Sequence, residues 1–338
     1  MLEPREHLRM VMERAAGVAP KGDLKRIRAL RFTEPGFDRA TWREMCGKGW
    51  LAIGSREFCE LAEELGADLV PEPLIPAAMA AQLLPQEHLA RVMTGERIVL
   101  PAWQEQPGSL DLVGRTVLRD GKLDGQKRFI PMAAGADAFL VTVAGGLALV
   151  ERDAPGVTVQ HQQTEDGGHL GTLIMDNAPA EAIEGDAAGA LECSIMAASA
   201  YLLGLMDRAL KITLDYIKAT EQSGRTGGSF QAMRRHVDAC AIQVPLTRSV
   251  VAAAAAAIDR MPNSAERRAA ISRAKVRASD AAMAVTRACA QLHGGLAHMD
   301  AHDISLFRRK AMVMAPLYGS PTVHRARFQT VAPERSDG

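Results

Sequence analysis

The chain has 338 residues, 47% of them hydrophobic and 24% charged, with a formal net charge of +0 at pH 7. That length exceeds one ordinary core and predicts two or three domains of globular composition. With no net positive charge and no long basic block, the electrostatic footprint of a nucleic-acid binder is missing.

Five scattered cysteines (Cys46, Cys59, Cys193, Cys240 and Cys289) form no CxxC pair, the usage expected of reduced core thiols in a cytoplasmic protein. Met1 to His7 carries no signal-peptide pattern. The longest run of small apolar residues, Val250 to Ile258, is about half the length of a membrane span, so none is expected.

Residues 1–96 are expected to form an N-terminal helical domain. Arg5 to Ala16 is a short amphipathic candidate, and Asp38 is placed to cap a helix running to Gly47. Phe58 to Leu65 and Ala77 to Leu84 follow, separated by Pro71, Pro73 and Pro76. Trp42, Trp50 and Leu51 to Ile53 are the core candidates.

The texture changes over 97–180. Short β-type runs begin at Ile98, Thr116, Phe139, Leu147, Val157 and Leu173. Asp120-Gly121, Asp124-Gly125, Gly145-Gly146 and Gly167-Gly168 punctuate them as turns. With no helical pattern between, they predict an antiparallel β-sandwich or barrel.

The helical period then returns and holds through 181–332. Ala187 to Ala219, Ser229 to Arg260, a segment ending at Leu292 and Ile304 to Leu317 predict an antiparallel four-helix bundle. Asn263 and Glu266 are spaced as a capping box for the third helix. The tail, 333–338, is expected to be disordered. The fold class is thus α+β multi-domain: helical domain, β domain, four-helix bundle.

The stretch Gln291-Leu-His-Gly-Gly295 closes the third helix. Two glycines there serve either as a plain C-cap or as a place where backbone comes close to a ligand or another chain. His293, His298 and His302 lie nearby with Asp300 and Asp303; helix-end turns collect such residues for capping, and no metal is expected.

Four motifs in order resemble the acyl-CoA dehydrogenase family over nearly the whole chain. Gln291 to Gly295 is similar to its Q-x-x-G-G motif. Leu123-Asp-Gly-Gln-Lys-Arg-Phe-Ile-Pro131 with Ala136-Asp137 resembles its L-N-G-x-K-x-W-I-T…A-D pattern. Ala102-Trp-Gln-Glu105 with Gly108-Ser109 resembles A-x-T-E-P…G-S-D, and Gly228-Ser-Phe-Gln-Ala232 the start of the second bundle helix. The resemblance implies FAD as cofactor, with Gln104, Ser109, Phe129, Gln231, Gln291, Gly294 and Gly295 around it. It implies an acyl-CoA thioester as substrate, α,β-dehydrogenation as reaction and an electron-transfer flavoprotein as acceptor. A carboxylate takes the α-proton as general base, while hydride leaves to the cofactor.

The departures bear on chemistry. The family's usual base sits in Y-E-G-T, but Tyr318 is followed directly by Gly319 here. The alternative position on the first bundle helix aligns with Ser194. Glu192, two residues away, lies about 200° round the helix. The family's R-x-Q-F-G becomes Thr220-Glu-Gln-Ser-Gly224, which removes a guanidinium from the pyrophosphate site, with Arg225 nearby. Pro131 replaces a threonine that offers two donors. The usual P-E-x-x-G-G-x-G loop is also missing.

Phe307 to Ala311 and Gly319 to Arg325 resemble short bacterial subunits, including those of steroid catabolism, where two unlike chains form a heterotetramer and one carries the base. Three functions therefore stand open. The first is a subunit needing a base-bearing homologous partner, acting on a bulky or steroid-type acyl-CoA. The second is a self-sufficient dehydrogenase, homo-oligomeric, with Glu105, Glu192 or His324 as base and Tyr318 or Glu192 against substrate. The third is a non-catalytic acyl-CoA-binding scaffold.

Overall fold

A computed structural model describes residues 22–222, 228–261 and 263–331. The expected Arg5–Ala16 helix, Arg225 and the tail from Pro333 lie outside the described residues. The chain folds into two compact units: residues up to Gly54 with Val70–Ser194, and Ser55–Leu69 with everything from Ile195.

The first unit opens with α1 (Leu24–Leu30) and α2 (Arg39–Gly47). Asp38 caps α2 as expected, its carboxylate accepting from the Ala40 and Thr41 N–H groups. After α3 (Ser55–Ala67), which belongs to the other unit, come α4 (Leu74–Ala81) and α5 (Gln86–Met93). Trp42 and Trp50 are buried, as is Leu51, whereas Ala52 is exposed.

Eight strands follow: β1 (Val99–Ala102), β2 (Val117–Arg119), β3 (Lys122–Pro131), β4 (Ala138–Val143), β5 (Gly146–Glu151), β6 (Val157–Gln163), β7 (His169–Pro179) and β8 (Glu181–Ile183). They make two four-stranded sheets, ordered β1-β4-β5-β8 and β2-β3-β7-β6. One pair departs from the expected antiparallel pattern: β1 runs parallel to β4. Between them the chain leaves to build β2 and β3 in the second sheet, then returns through a 3₁₀ turn at Ala133–Gly135. Every residue of β1 and β4 is buried, as fits strands covered on both faces, whereas β6 is largely exposed.

Asp120-Gly121 makes the β2–β3 hairpin with φ 48 and 73, and the Ala144-Gly145 turn joins β4 to β5. Asp124-Gly125 is no turn. It lies inside β3, where the register against β7 shifts between Leu123 and Gly125.

The second unit is helical: α6 (Ala187–Gln222, its first turns counted with the first unit), α7 (Gly228–Arg260), α8 (Ala265–Leu292), α9 (Asp303–Met314) and α10 (Pro321–Val331). Ser264, one residue later than the expected cap, accepts from the Arg267 N–H. The fourth expected helix ends at Met314, and a further one, α10, follows after a turn.

Helix α3 joins this unit through two glycines. A Cβ on Gly66 would stand 2.0 Å from the Tyr201 carbonyl oxygen, and one on Gly204 would stand 1.7 Å from that of Glu63. Only hydrogen permits backbones to meet so closely. Helices α6 and α7 are long and apolar enough to cross a bilayer, but 89% of the α6 window is buried inside the fold. For α7 the share is 33%, with Ile242 and Leu246 exposed one turn apart.

Candidate active site

Helix α8 ends at Leu292 and His293 caps it. Gly294 turns the backbone with φ 70, and a Cβ added to it or to Gly295 would meet nothing within 4 Å. Gln291, Gly294 and Gly295 are all exposed. His293 is buried beside them, stacked on Tyr216 at 4.3 Å and edge-on to His302 at 4.8 Å. Its Nε2 lies 3.2 Å from the Thr213 hydroxyl, and its Nδ1 has no hydrogen-bond partner among the described residues. Burial, and then His302, pull its pKa down to about 4, so the ring is neutral. His302 in turn caps α9, its Nδ1 accepting from the Ile304 N–H at 3.3 Å. These two histidines are thus engaged in stacking and capping.

The α9–α10 turn holds Tyr318 and Gly319 with φ 58 and 98. A tyrosine in the left-handed region costs roughly 1–2 kcal/mol, so its surroundings must hold it there. The side chain is buried, its hydroxyl has no partner among the described residues, and burial raises the phenol pKa. No carboxylate stands in this turn.

Around it lies a buried polar cluster that sequence reasoning missed. Lys275 of α8 has 0% exposure. Its Nζ donates to the Ala315 carbonyl at 2.7 Å, the Met314 carbonyl at 3.4 Å and Ser279 Oγ at 3.1 Å. Ser279 Oγ also reaches the Ala315 carbonyl at 3.2 Å. His324 of α10, one of the three candidate bases, is fully buried. Its Nε2–H donates to the Tyr318 carbonyl at 2.8 Å, so Nδ1 accepts from Ser272 Oγ at 3.3 Å. Burial lowers its pKa to about 4 and that of Lys275 to about 7. With both nitrogens engaged, His324 is poorly placed to take a substrate proton.

In the first unit, Glu105 is equally committed. It accepts from Lys127 Nζ at 2.9 Å, the Arg115 and Thr116 N–H groups at 2.6 and 3.0 Å, and the Thr116 hydroxyl at 2.7 Å. Burial pushes its pKa up, but the hydrogen bonds outweigh that and bring it to about 2. Such an anion is a weak base. Lys127 has 0% exposure and also reaches the Trp103 carbonyl and Thr142 Oγ. Burial pulls its pKa down against the raising effect of Glu105. The two directions compete, and an ammonium held by three oxygens, one of them from a carboxylate that accepts four hydrogen bonds, has the geometry of a charged pair.

Gln104 donates its amide to the Gln106 and Ser109 carbonyls, and the Ser109 hydroxyl donates to Asp111. Both therefore brace their own loop. Phe129, half-buried, takes φ 59 where the β3 register shifts between Lys127 and Ile130, with the Arg128 guanidinium over its ring. Pro131 ends β3 and has no N–H. Glu192, in the second turn of α6, is buried. Ser194 Oγ bonds back to the Ala190 carbonyl. Thr220 Oγ likewise donates to the Tyr216 carbonyl. Gln231 falls in the first turn of α7, where its side chain is outside the described residues. Among the described residues one group has metal-ligand proximity, Glu87, His88 and Glu181, and it is mostly exposed.

Two β-sheets followed by a long-helix bundle with a Gly-Gly turn after its third helix define a class. Residues 187–331 match the C-terminal domain of acyl-CoA dehydrogenases. Over nearly its full length the chain is 29% identical to acyl-CoA dehydrogenase IpdE2 of Mycolicibacterium smegmatis, covering 97% of this chain and 99% of that one. It superposes on the steroid acyl-CoA dehydrogenase Tcur3481–Tcur3483 with TM-score 0.85 and 27% identity, over 96% of this chain and 97% of that one. The ChsE4–ChsE5 complex of Mycobacterium tuberculosis shares the fold, with TM-score 0.83, 23% identity and 98% and 97% coverage. Residues 187–331 thus carry the C-terminal domain of acyl-CoA dehydrogenases, and over its length the chain is similar to members of that family, which are FAD-dependent oxidoreductases acting on CH–CH groups of acyl-CoA.

The end of α8 fits a flavin dinucleotide: an exposed glycine pair with open space about it, an exposed glutamine, and a buried imidazole nitrogen without a partner among the described residues. The β3 end fits less well, since Pro131 supplies no donor and the Ser109 and Gln104 groups are already spent.

Proposed function

We propose that this chain is one subunit of a heteromeric FAD-dependent acyl-CoA dehydrogenase whose homologous partner carries the catalytic base. The observation that carries this is the α9–α10 turn, where Tyr318, buried with its phenol neutral, is followed directly by Gly319 and no carboxylate lies between them. Glu105 and His324 are tied into hydrogen bonds, so neither replaces it.

Gln291, Gly294 and Gly295 would lie against the dinucleotide, with Phe129 and Gln231 completing the family's arrangement. The chemistry FAD supplies when bound is acceptance of a hydride from the acyl β-carbon. This chain's residues bind and orient, and the α-proton goes to the partner's carboxylate. The exposed stripe of Ile242 and Leu246 on α7 suits a homologous subunit. The names of relatives, a steroid dehydrogenase and a two-protein complex, support a bulky steroid-type acyl-CoA as substrate and a hetero-oligomer as the working form. An electron-transfer flavoprotein is the natural acceptor, and the cytoplasm the natural location, with FAD shared between chains.

Glu192 favours a second reading, a self-sufficient enzyme, because it is a buried carboxylate near Ser194, the alternative base position. Co-expression with a homologue encoded beside this chain decides between them. We expect FAD and acyl-CoA-dependent dye reduction in the complex, both largely absent from the isolated chain and both surviving Glu192→Gln. Full turnover by the isolated chain, abolished by Glu192→Gln, would establish the second reading. A colourless complex would leave a non-catalytic acyl-CoA-binding scaffold.

A further inference from the structure

Lys275, Ser279 and His324 converge on one stretch of backbone, and among the described residues no carboxylate is a hydrogen-bond partner of theirs. Lys275 and Ser279 hold the carbonyls of Met314 and Ala315, where α9 ends. His324 holds the carbonyl of Tyr318, the residue forced to φ 58. A helix end leaves carbonyls without partners, and the usual remedy is a glycine cap or water. Here the remedy is a buried lysine, the most costly donor to place without a counter-ion. Strained backbone persists only where neighbours over-determine it, and three fixed donors do so here.

We propose that Lys275, Ser279 and His324 are positioning residues that clamp the α9–α10 turn and thereby fix Tyr318 and Gly319 at the acyl site. The functional half rests on the reading above, that this turn borders the acyl group. The clamp itself does not. Lysine suits the task because its amine stays satisfied in either protonation state. As an ammonium it donates to both carbonyls and Ser279; as a neutral amine it still donates to both carbonyls and can accept from a hydroxyl. Of the charged groups around the cluster, Lys275 and Arg327 of α10 act on the His324 imidazole, and the Tyr318 phenol lies buried in the turn it holds. The α9 end contributes main-chain carbonyls.

The chain has three tyrosines, so 3-fluorotyrosine labelling gives three ¹⁹F resonances, with Tyr318→Phe assigning the one that matters. In the full-length chain, Lys275→Met and His324→Leu should shift or broaden the Tyr318 resonance, leave those of Tyr201 and Tyr216 in place, and keep the helical circular dichroism. His324→Gln, which retains a donor for the Tyr318 carbonyl, should restore the signal. Ser279→Ala, a milder change, serves if Lys275→Met fails to fold. In the two-subunit complex the same variants should raise KM for acyl-CoA about fivefold or more while kcat changes less than about twofold, as for loss of ground-state positioning. Folded variants with an unmoved Tyr318 resonance would overturn the clamp. A moved resonance with unchanged KM would overturn its positioning role. A complex that turns over no acyl-CoA would sink the functional reading, and the ¹⁹F result would then decide the clamp alone.

Discussion

Glu105→Gln separates a structural carboxylate from a catalytic one. Its pKa falls from 4.5 to about 2, which at ~1.36 kcal/mol per unit amounts to about 3 kcal/mol of stabilisation. The carboxylate side chain keeps 16% exposure, and solvent screening at that edge leaves about 2 kcal/mol. Removing the charge also strands the Lys127 ammonium at 0% exposure, and loss of one partner of a buried pair typically costs 3–5 kcal/mol. We expect Glu105→Gln to cost about 3 kcal/mol in urea unfolding, and Glu105→Gln with Lys127→Met to recover much of it, because an apolar side chain strands no charge. By linkage, the depressed carboxyl contributes stability above its unfolded pKa and loses it as pH falls from about 4.5 through about 2. Turnover in the complex should follow the folded fraction. A single-variant cost under about 1 kcal/mol, or a double variant no better than the single, would refute the buried-pair account. A large loss of turnover in well-folded protein would return Glu105 to the list of bases.

Further outcomes follow from the other buried groups. Lys275 titrates at about 7 in the folded chain against 10.5 unfolded, so the unfolded state holds more protons between those values and stability should rise with pH across that window. Urea midpoints measured from pH 7 to 10 should show that slope, and Lys275→Met should flatten it. His169, His293 and His324 all sit at about 4 rather than 6.5, so stability should fall as pH drops from 6.5 towards 4, and His169→Gln should lessen the fall. Gly204→Ala puts a methyl 1.7 Å from the Glu63 carbonyl oxygen and should cost several kcal/mol, read as loss of soluble protein or a thermal midpoint lowered by many degrees.

The helices and strands were largely legible because periodicity and turn chemistry report them directly. Asp38 caps where its position says it should, and the β-type runs became strands with a hairpin at Asp120-Gly121. Alternation alone could have placed Lys127 inward, since it shares a strand face with buried Leu123, but its charge argued for solvent. The buried ion pair with Glu105 reverses that argument, and no local pattern shows a partner 22 residues away. Lys275 was hidden for a related reason, because its acceptors are carbonyls, which every sequence has. Asp124-Gly125 misled because a bulge and a turn ask for the same residues. The family's missing carboxylate at Tyr318 was plain from the chain. That the neighbouring histidine is buried and bonded at both nitrogens was not.

The docking of α3 has a consequence for synthesis. This helix leaves the ribosome early, yet its backbone meets that of α6 at Gly66 and Gly204, about 140 residues further on. It must wait, apolar face uncovered, until the first bundle helix has emerged. A fragment beginning at Ala187 would hold the whole segment that matches the family's C-terminal domain and still lack a wall. Supplying residues 55–69 as a separate peptide should rescue such a fragment, making the unit a natural split-protein pair.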